Sequence, residues 1–406
     1  MGTTVKSNKV FNAALFTEAT RANTFTNLLT DGAPQAIDGK KARQTSPQAP
    51  IVRVTDLTKG AGDEVEVDVF HQLNGLPTMG DRKLEGRGEA LTSASMDLKI
   101  NQGRHMVDAG GKMAQQRTKH NLQAAARGLL SSDNYLGRLN DQKTLIHLAG
   151  ARGSLLRSDD IVPLQSHNEF GDIMVNEVKA PTFDRHFYGG DATSLANLDS
   201  GDKFSLDVIE RMSLTINESN AMPIQPIRYK ADSAAYAEPL YVAYVSPRMM
   251  YDFKQTNTAK DLNMLIANAV NRSKGFNHPL FQGECYLWEG ILIRTSRRYI
   301  EFAQGFGVDV AGNNNDGSTS VVNAAVKAHR GILLGAQALA HAFGNVGKHD
   351  GSDAGYIGMT EVDVDHDNGK EISMRWMDGM SKIRFADKNG RINDHGVAVF
   401  DCSVSS

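Results

Sequence analysis

Cysteine is scarce in this sequence: Cys285 and Cys402 are the two among 406 residues. Two thiols cannot build a disulfide framework, and their scarcity fits assembly in a reducing cytoplasm. Long hydrophobic runs are missing as well. No stretch approaches the roughly 18 apolar residues that cross a bilayer, which argues against a membrane protein. The start, MGTTVKSNKVFNAALF, has no apolar core or cleavage site of a secretory signal, and Lys6 stands where a myristoylation signal needs Ser or Thr. Positive charge is not in excess either. With 44 Lys and Arg against 47 Asp and Glu, the net charge is −3, so the chain as a whole offers no basic surface to grip nucleic acid. Catalytic signatures are equally thin. There is no GxSxG elbow, no HExxH and no CxxC.

Several fragments approach a motif and fail on spacing. DVDHDNG at 363–369 sets Asp363, Asp365 and Asp367 at the alternate spacing of a calcium loop. Its glycine falls at the seventh position instead of the sixth, and Met374 stands where a bidentate Glu is needed. A solvated acidic loop between strands is the better reading. GGKM at 110–113 has Met106 in place of the first glycine of a phosphate loop and Met113 in place of its Ser or Thr. GFGVDVAG at 305–312 misses the third glycine of a dinucleotide fingerprint. The twelve His are scattered, and His105, His120 and His147 share no ligand spacing. The expectation is therefore no catalytic residue, no cofactor and no metal. A catalytic triad need not be local in sequence, so a hydrogen-bonded nucleophile and base in a pocket is the observation that would favour an enzyme.

What is present centres on residues 110–150. Leu122, Ala126, Leu129, Leu136, Leu139 and Ile146 keep to one face of a helix, which run unbroken from Lys112 to Ala149 would extend about 55 Å at 1.5 Å per residue. Gly128, Gly137 and the capping run Ser131 to Asn134 leave a break open in its middle, and GARG marks its end. Before it, Ile51 onward alternates at Val65, Val67 and Val69, and again at Met96, Leu98 and Ile100, around a polar excursion of roughly 25 residues. Two alternating stretches of this kind make a long hairpin, and a loop that long is usually functional. Residues 151–202 predict loops with a few short strands. From Lys203, FSLDVIERMSLTINES predicts a helix, PLYVAYVSP a buried strand, PRMMYDFKQ and AKDLNMLIANAVNRS helices, and ECYLWEGILIRTS strands. AGNNNDGSTS reads as a loop tip, VNAAVKAHRGILLGAQALAHAFG as strand and then helix, and MRWMDGMSKIRF and HGVAVFDCSV as closing strands. This alternation is α+β or α/β.

The first fifty residues are polar, with six basic residues against three acidic, whereas 350–406 carry eleven acidic against six basic. Such an arm cannot offset by its own burial an ordering cost of about 1–2 kcal/mol per residue. Two apolar clusters, around Phe11, Leu15 and Phe16 and around Phe25 and Leu28, are expected to dock it on adjacent subunits, the alternative being an arm folded back on its own chain.

The run LEGRGEALTSASMDLKINQGRHMVDAGGKMAQQRTKHNLQAAARGLL at 84–130 resembles the major capsid proteins of N-four-type podophages. So do the preceding DLTKGAGDEVEVDVFHQLNGLPTMGD, the following TLIHLAGARG, and RGILLGAQALAHAFG and SKIRFADKNGRINDHGVAVFDC further on. The resemblance implies the α+β tailed-phage capsid (Johnson) fold: an N-terminal arm at 1–50, an extended loop hairpin at 51–109, and a peripheral domain with a long spine helix at 110–202. An axial domain follows at 203–349, and strands at 350–406 return to the peripheral domain. It implies a shell protein, with a minor head or decoration protein as the alternative. The arm is expected to remain in place, with no N-terminal scaffolding segment removed by a protease. Its implied partners are further copies in hexamers and pentamers, the portal, and scaffolding or decoration proteins of the head. Packaged DNA would be met only by weak, non-specific contact, and no membrane. Besides the arm residues, Leu84, Glu85 and Arg87 in the loop are expected at contacts between subunits.

Overall fold

The alternation at Val65, Val67 and Val69 yields the strand Glu64–Phe70, which pairs antiparallel with Ser93–Lys99, Glu64 lying opposite Lys99 and Phe70 opposite Ser93. Its inner residues pack with Met96 and Leu98 against Val54, Ala340, Ala342, Ile383 and Phe385. The computed structural model describes residues 24–25, 48–54, 62–118, 121–218, 223–229, 238–274, 279–281, 283–346 and 356–405.

The strut is segmented. Lys112–Arg117 stops at Thr118, whose backbone is extended; Leu122–Leu130 follows; a π-helical turn fills Ser132–Leu136; and Gly137–Ala149 completes the run. The open question at 131–134 resolves as a break. The Ser131 hydroxyl (2.9 Å) and the Asn134 amide (2.6 Å) both donate to the Gly128 carbonyl, so side chains take over where backbone donors leave off. The break also shifts the apolar face: Leu130 is buried and Leu129 exposed. At the far end Gly150 has φ 66° and donates to the Ile146 carbonyl, the left-handed stop that GARG promised. A Cβ there would sit 2.5 Å from the Lys179 carbonyl oxygen.

This last helix, the spine, is buried on every side although its sequence GRLNDQKTLIHLA is largely polar. Three of its polar side chains, Asp141, Gln142 and Lys143, are matched individually, whereas both ring nitrogens of His147 are buried without a hydrogen-bond partner among the described residues. Lys143 meets Asp378 at 3.0 Å, Asp141 faces Arg298, and the Gln142 side-chain carbonyl accepts from the amides of Ile161 and Val162. Pairing of this kind offsets the cost of taking charged and amide groups out of water.

Two sheets flank the spine. In the first, Ile51–Val54 runs parallel to Leu339–Phe343, which pairs antiparallel with the end of Gly369–Lys382; that 14-residue strand also takes Ile357–Val364 and Asn101–Gly111. In the second, the order is His186–Tyr188, Val397–Ser403, Ala328–Leu334, Tyr241–Val245, Ile291–Thr295, Tyr286–Trp288, with Ile300–Phe302 also on Ala328–Leu334. The helices Leu206–Glu218, Pro247–Thr256 and Ala259–Ser273 pack on it through Val208, Met212, Phe253 and Leu265, and Ser246 and Thr258 cap the latter two. Residues 151–202 are loops that carry a short helix at Phe170–Met174, 3-10 turns at Phe183–Arg185 and Leu195–Asn197 and one short strand, and 312–318 is the tip of the hairpin pairing Gly307–Ala311 with Thr319–Asn323.

One expectation fails here. The helix expected in VNAAVKAHRGILLGAQALAHAFG is absent: Leu339–Phe343 is a strand with neighbours on both edges, and that pairing overrides the local preference. Sheet membership does not follow chain order: Leu339–Phe343 lies in the first sheet and Val397–Ser403 in the second.

Arg330 joins the parts. It donates two bonds of 2.7 Å to Asp401 and one of 2.9 Å to the Ala149 carbonyl at the spine's C-terminus, with His186 Nε2 2.7 Å from the same carboxylate. Against burial, which would raise it, the Arg330 guanidinium and His186 hold the Asp401 carboxyl well below the usual range. Asp401→Asn leaves this guanidinium uncompensated in a site with no solvent, so urea unfolding of the subunit should show a loss of about 3–5 kcal/mol, and a variant as stable as the parent would contradict the assignment.

Candidate assembly surfaces

The hairpin's crown, residues 71–92, is held by one carboxylate. Glu89 accepts from the amides of Asn74 (3.1 Å) and Gly75 (2.6 Å) and meets the Lys388 ammonium at 2.8 Å. The hydrogen bond from Lys388, then those from Asn74 and Gly75, pull its pKa down to about 2. Around this clamp the apolar side chains face solvent. Leu76 is 94% exposed, Met79 and Leu84 70% and Leu91 68%, a density of bare hydrophobes that a monomer gains nothing by displaying. Leu84, Glu85 and Arg87 sit together at this crown, all exposed, with the Arg87 amide donating to the Leu84 carbonyl at 3.1 Å. Glu89 escaped sequence reading because its partners lie 14, 15 and 299 residues away.

Phe25 corrects another expectation. It packs inside its own chain, 0% exposed, with its ring 5.1 Å from that of Tyr244 and edge-on to it. The amides of Thr24 and Phe25 both donate to Asp141 Oδ1 at 2.8 Å, so the spine's carboxylate anchors this point of the arm. At Thr24 and Phe25 two charge-assisted bonds in a dry site thus add to the burial of the Phe25 ring. The alternative of an arm folded back on its own chain therefore holds at Phe25. Phe11, Leu15, Phe16 and Leu28 lie outside the described residues.

One arrangement has the look of chemistry. Ser246 Oγ lies 2.7 Å from His329 Nδ1, and His329 Nε2 lies 3.1 Å from Glu301. Nucleophile, base and acid stand in order, yet the setting is that of a core. Ser246 is 0% exposed and its hydroxyl already accepts from the Met249 amide as a helix cap (3.1 Å), leaving no room for a substrate carbonyl. Burial pushes His329 down to about 4 against the pull of Glu301, and the Tyr299 ring lies tilted against it, centroids 4.6 Å apart. The chain of bonds fastens the Pro247–Thr256 helix to the strand Ala328–Leu334.

The acidic fragment at 363–369 is the tight turn between Ile357–Val364 and Gly369–Lys382, with positive φ at Asp365, His366 and Asp367. Asp363 meets Lys370 at 3.3 Å and Asp367 meets Lys112 at 2.9 Å, so its carboxylates serve exposed ion pairs that close the sheet's end over the first helix.

Known proteins share this architecture. The capsid of Ralstonia phage GP4 superposes with a TM-score of 0.76 at 25% identity, over 99% of this chain and 96% of that one. The capsid asymmetric unit of cyanophage Pam1 superposes with a TM-score of 0.58 at 18% identity, over 97% and 100%, a likeness of fold. In sequence, the major capsid protein of Pseudomonas phage KPP25 is 23% identical over 363 residues, 87% of each chain. The α+β fold, with its spine helix, two sheets and projecting hairpin, is that of the tailed-phage capsid proteins. A family model described as phage capsid protein takes in residues 4–406, and the chain accordingly belongs to the phage capsid protein family.

Proposed function

We propose that this chain is the major subunit of an icosahedral phage head, closed from hexamers and pentamers around double-stranded DNA. The observation that carries this reading is the crown of exposed leucines on a hairpin whose other side is already packed in its own core. A segment so built has a use only when a neighbour covers it, and membership of a capsid family makes the neighbour another copy. The role is structural, and the buried Ser246–His329–Glu301 set is a packing device. Net charge of −3 suits a wall that leaves packaged DNA free, touching it only weakly. Portal, scaffolding and decoration proteins are the further partners such a head would take, with assembly in the host cytoplasm.

In electron micrographs the purified chain should form closed shells, and in virions it should outnumber every other head protein; presence in only a few copies per particle would overturn the reading. Replacing Leu76 to Ala90 by a short Gly-Ser turn should leave the subunit's circular dichroism and melting unchanged while removing stable shells. Interfaces that hold usually bury about 1,200–2,000 Å², and this crown would supply a sizeable share. Normal, heat-stable shells from that variant would contradict a covered crown.

A further inference from the structure

The three-stranded ribbon made by Asn101–Gly111, Gly369–Lys382 and Ile357–Val364 has one face against the helices and one more open face, where Arg104, Met106 and Asp108 are exposed and Glu371, Ser373 and Arg375 half-buried. His105 stacks on Tyr135 at 4.2 Å, and Trp376 fills the space over Gly103, so the odd-numbered residues of the first strand turn toward the helices. The even-numbered residues, and those registered with them, turn the other way.

On that open face the register sets like charge against like charge, twice. Arg104 lies opposite Arg375, and Asp108 lies opposite Glu371. Between the two pairs sit Met106, 52% exposed, and Ser373 opposite it. Like charges directly opposite in a sheet are destabilising, by up to about 1 kcal/mol. The opposite-sign pairs do not relieve each other within the chain, since four residues of strand separate them by about 13 Å. Among the described residues neither guanidinium meets a carboxylate, and Arg375 Nε is buried without a hydrogen-bond partner. Glu371 is likewise unpaired there, while Asp108 spends one oxygen on its own Gly110 amide at 2.7 Å.

The order basic pair, methionine, acidic pair is its own complement under a two-fold axis. Let that axis lie in the plane of the contact, across the strands, through Met106 and Ser373. It then places Arg104 on Asp108 of the partner subunit, Arg375 on Glu371 of the partner subunit, and Met106 on its own copy. An isologous contact has this property of matching a patch to itself.

We infer that this ribbon face is a two-fold contact between copies of the chain, in which the basic pair of each subunit neutralises the acidic pair of the other around a central Met106. The inference rests on the shell reading and adds to it a second surface, separate from the hairpin crown. Each subunit then keeps two locally repulsive pairs that only a correctly placed neighbour relieves, so a mismatched contact is penalised by like-charge juxtaposition.

The test uses the full chain. Reversing one pair, as R104E with R375E or as D108K with E371K, makes the face all acidic or all basic, and shell yield should fall by about tenfold or more. Reversing both pairs in one chain restores the pattern with inverted sign and the net charge of −3, and shells should return. Circular dichroism of the subunits separates a lost contact from a lost fold. Independently, Met106→Cys should give disulfide-linked dimers when assembled shells meet a mild oxidant, because the two-fold brings position 106 onto itself; Cys285 and Cys402 are buried and stay silent. Shells that form from either singly reversed chain, four-fold reversal without recovery, or Met106→Cys shells without linked dimers would each overturn this contact and leave the shell reading intact. Failure of the unaltered chain to form shells would count against the shell reading itself.

Discussion

Arg330 has no contact with solvent, yet three parts of the molecule meet on its guanidinium: the carboxylate of Asp401 in one strand, His186 beside it in another, and the last carbonyl of the spine helix. A cation in that position costs several kcal/mol of lost hydration unless every donor is met with good geometry. The rest of the fold can be understood as the set of placements that satisfies it and its relatives. Lys143 with Asp378 and His341 ties the same helix to the first sheet, Arg298 with Asp141, Asp159 and Asp160 ties it to the loop after the spine, and Lys382 and Arg384 share Asp394. Apolar packing alone would permit the sheets to slide. Paired charges in a dry interior have one good geometry and heavy penalties for others.

That design suits a subunit of a shell. Force on a capsid wall passes from copy to copy, and a block whose sheets are pinned to one helix transmits it without repacking. The exposed features belong to a different regime: the leucine-bearing crown and the like-charge pairs of the ribbon are poorly satisfied in the single subunit, and the contacts proposed above would relieve both. Stability inside the subunit and incompleteness at its surface are complementary, because a subunit satisfied everywhere would have little reason to assemble.

Periodicity disclosed the parts of the fold whose partners are near in sequence. The hairpin strands were legible from Val65, Val67 and Val69 against Met96 and Leu98, and the stop at Gly150 from the need for a left-handed residue. Elements decided by distant partners were not. Leu339–Phe343 looks helical until its two neighbours, centred near residues 52 and 380, are in place. The spine looks like a surface helix because its Asp, Gln and Lys are read as solvated, when each has a buried partner supplied by other segments. For the same reason nothing local reveals that Asp141 and Tyr244 await Phe25, 116 and 219 residues further on.

The division between a finished interior and an unfinished surface is open to amide hydrogen exchange on the unassembled subunit and on the assembled shell. Amides of Gly137–Ala149 should be protected equally in both, while those of 71–92 should exchange freely in the subunit and become protected in the shell. Strong protection of 71–92 in the isolated subunit, or a spine helix that gains protection only on assembly, would contradict the account.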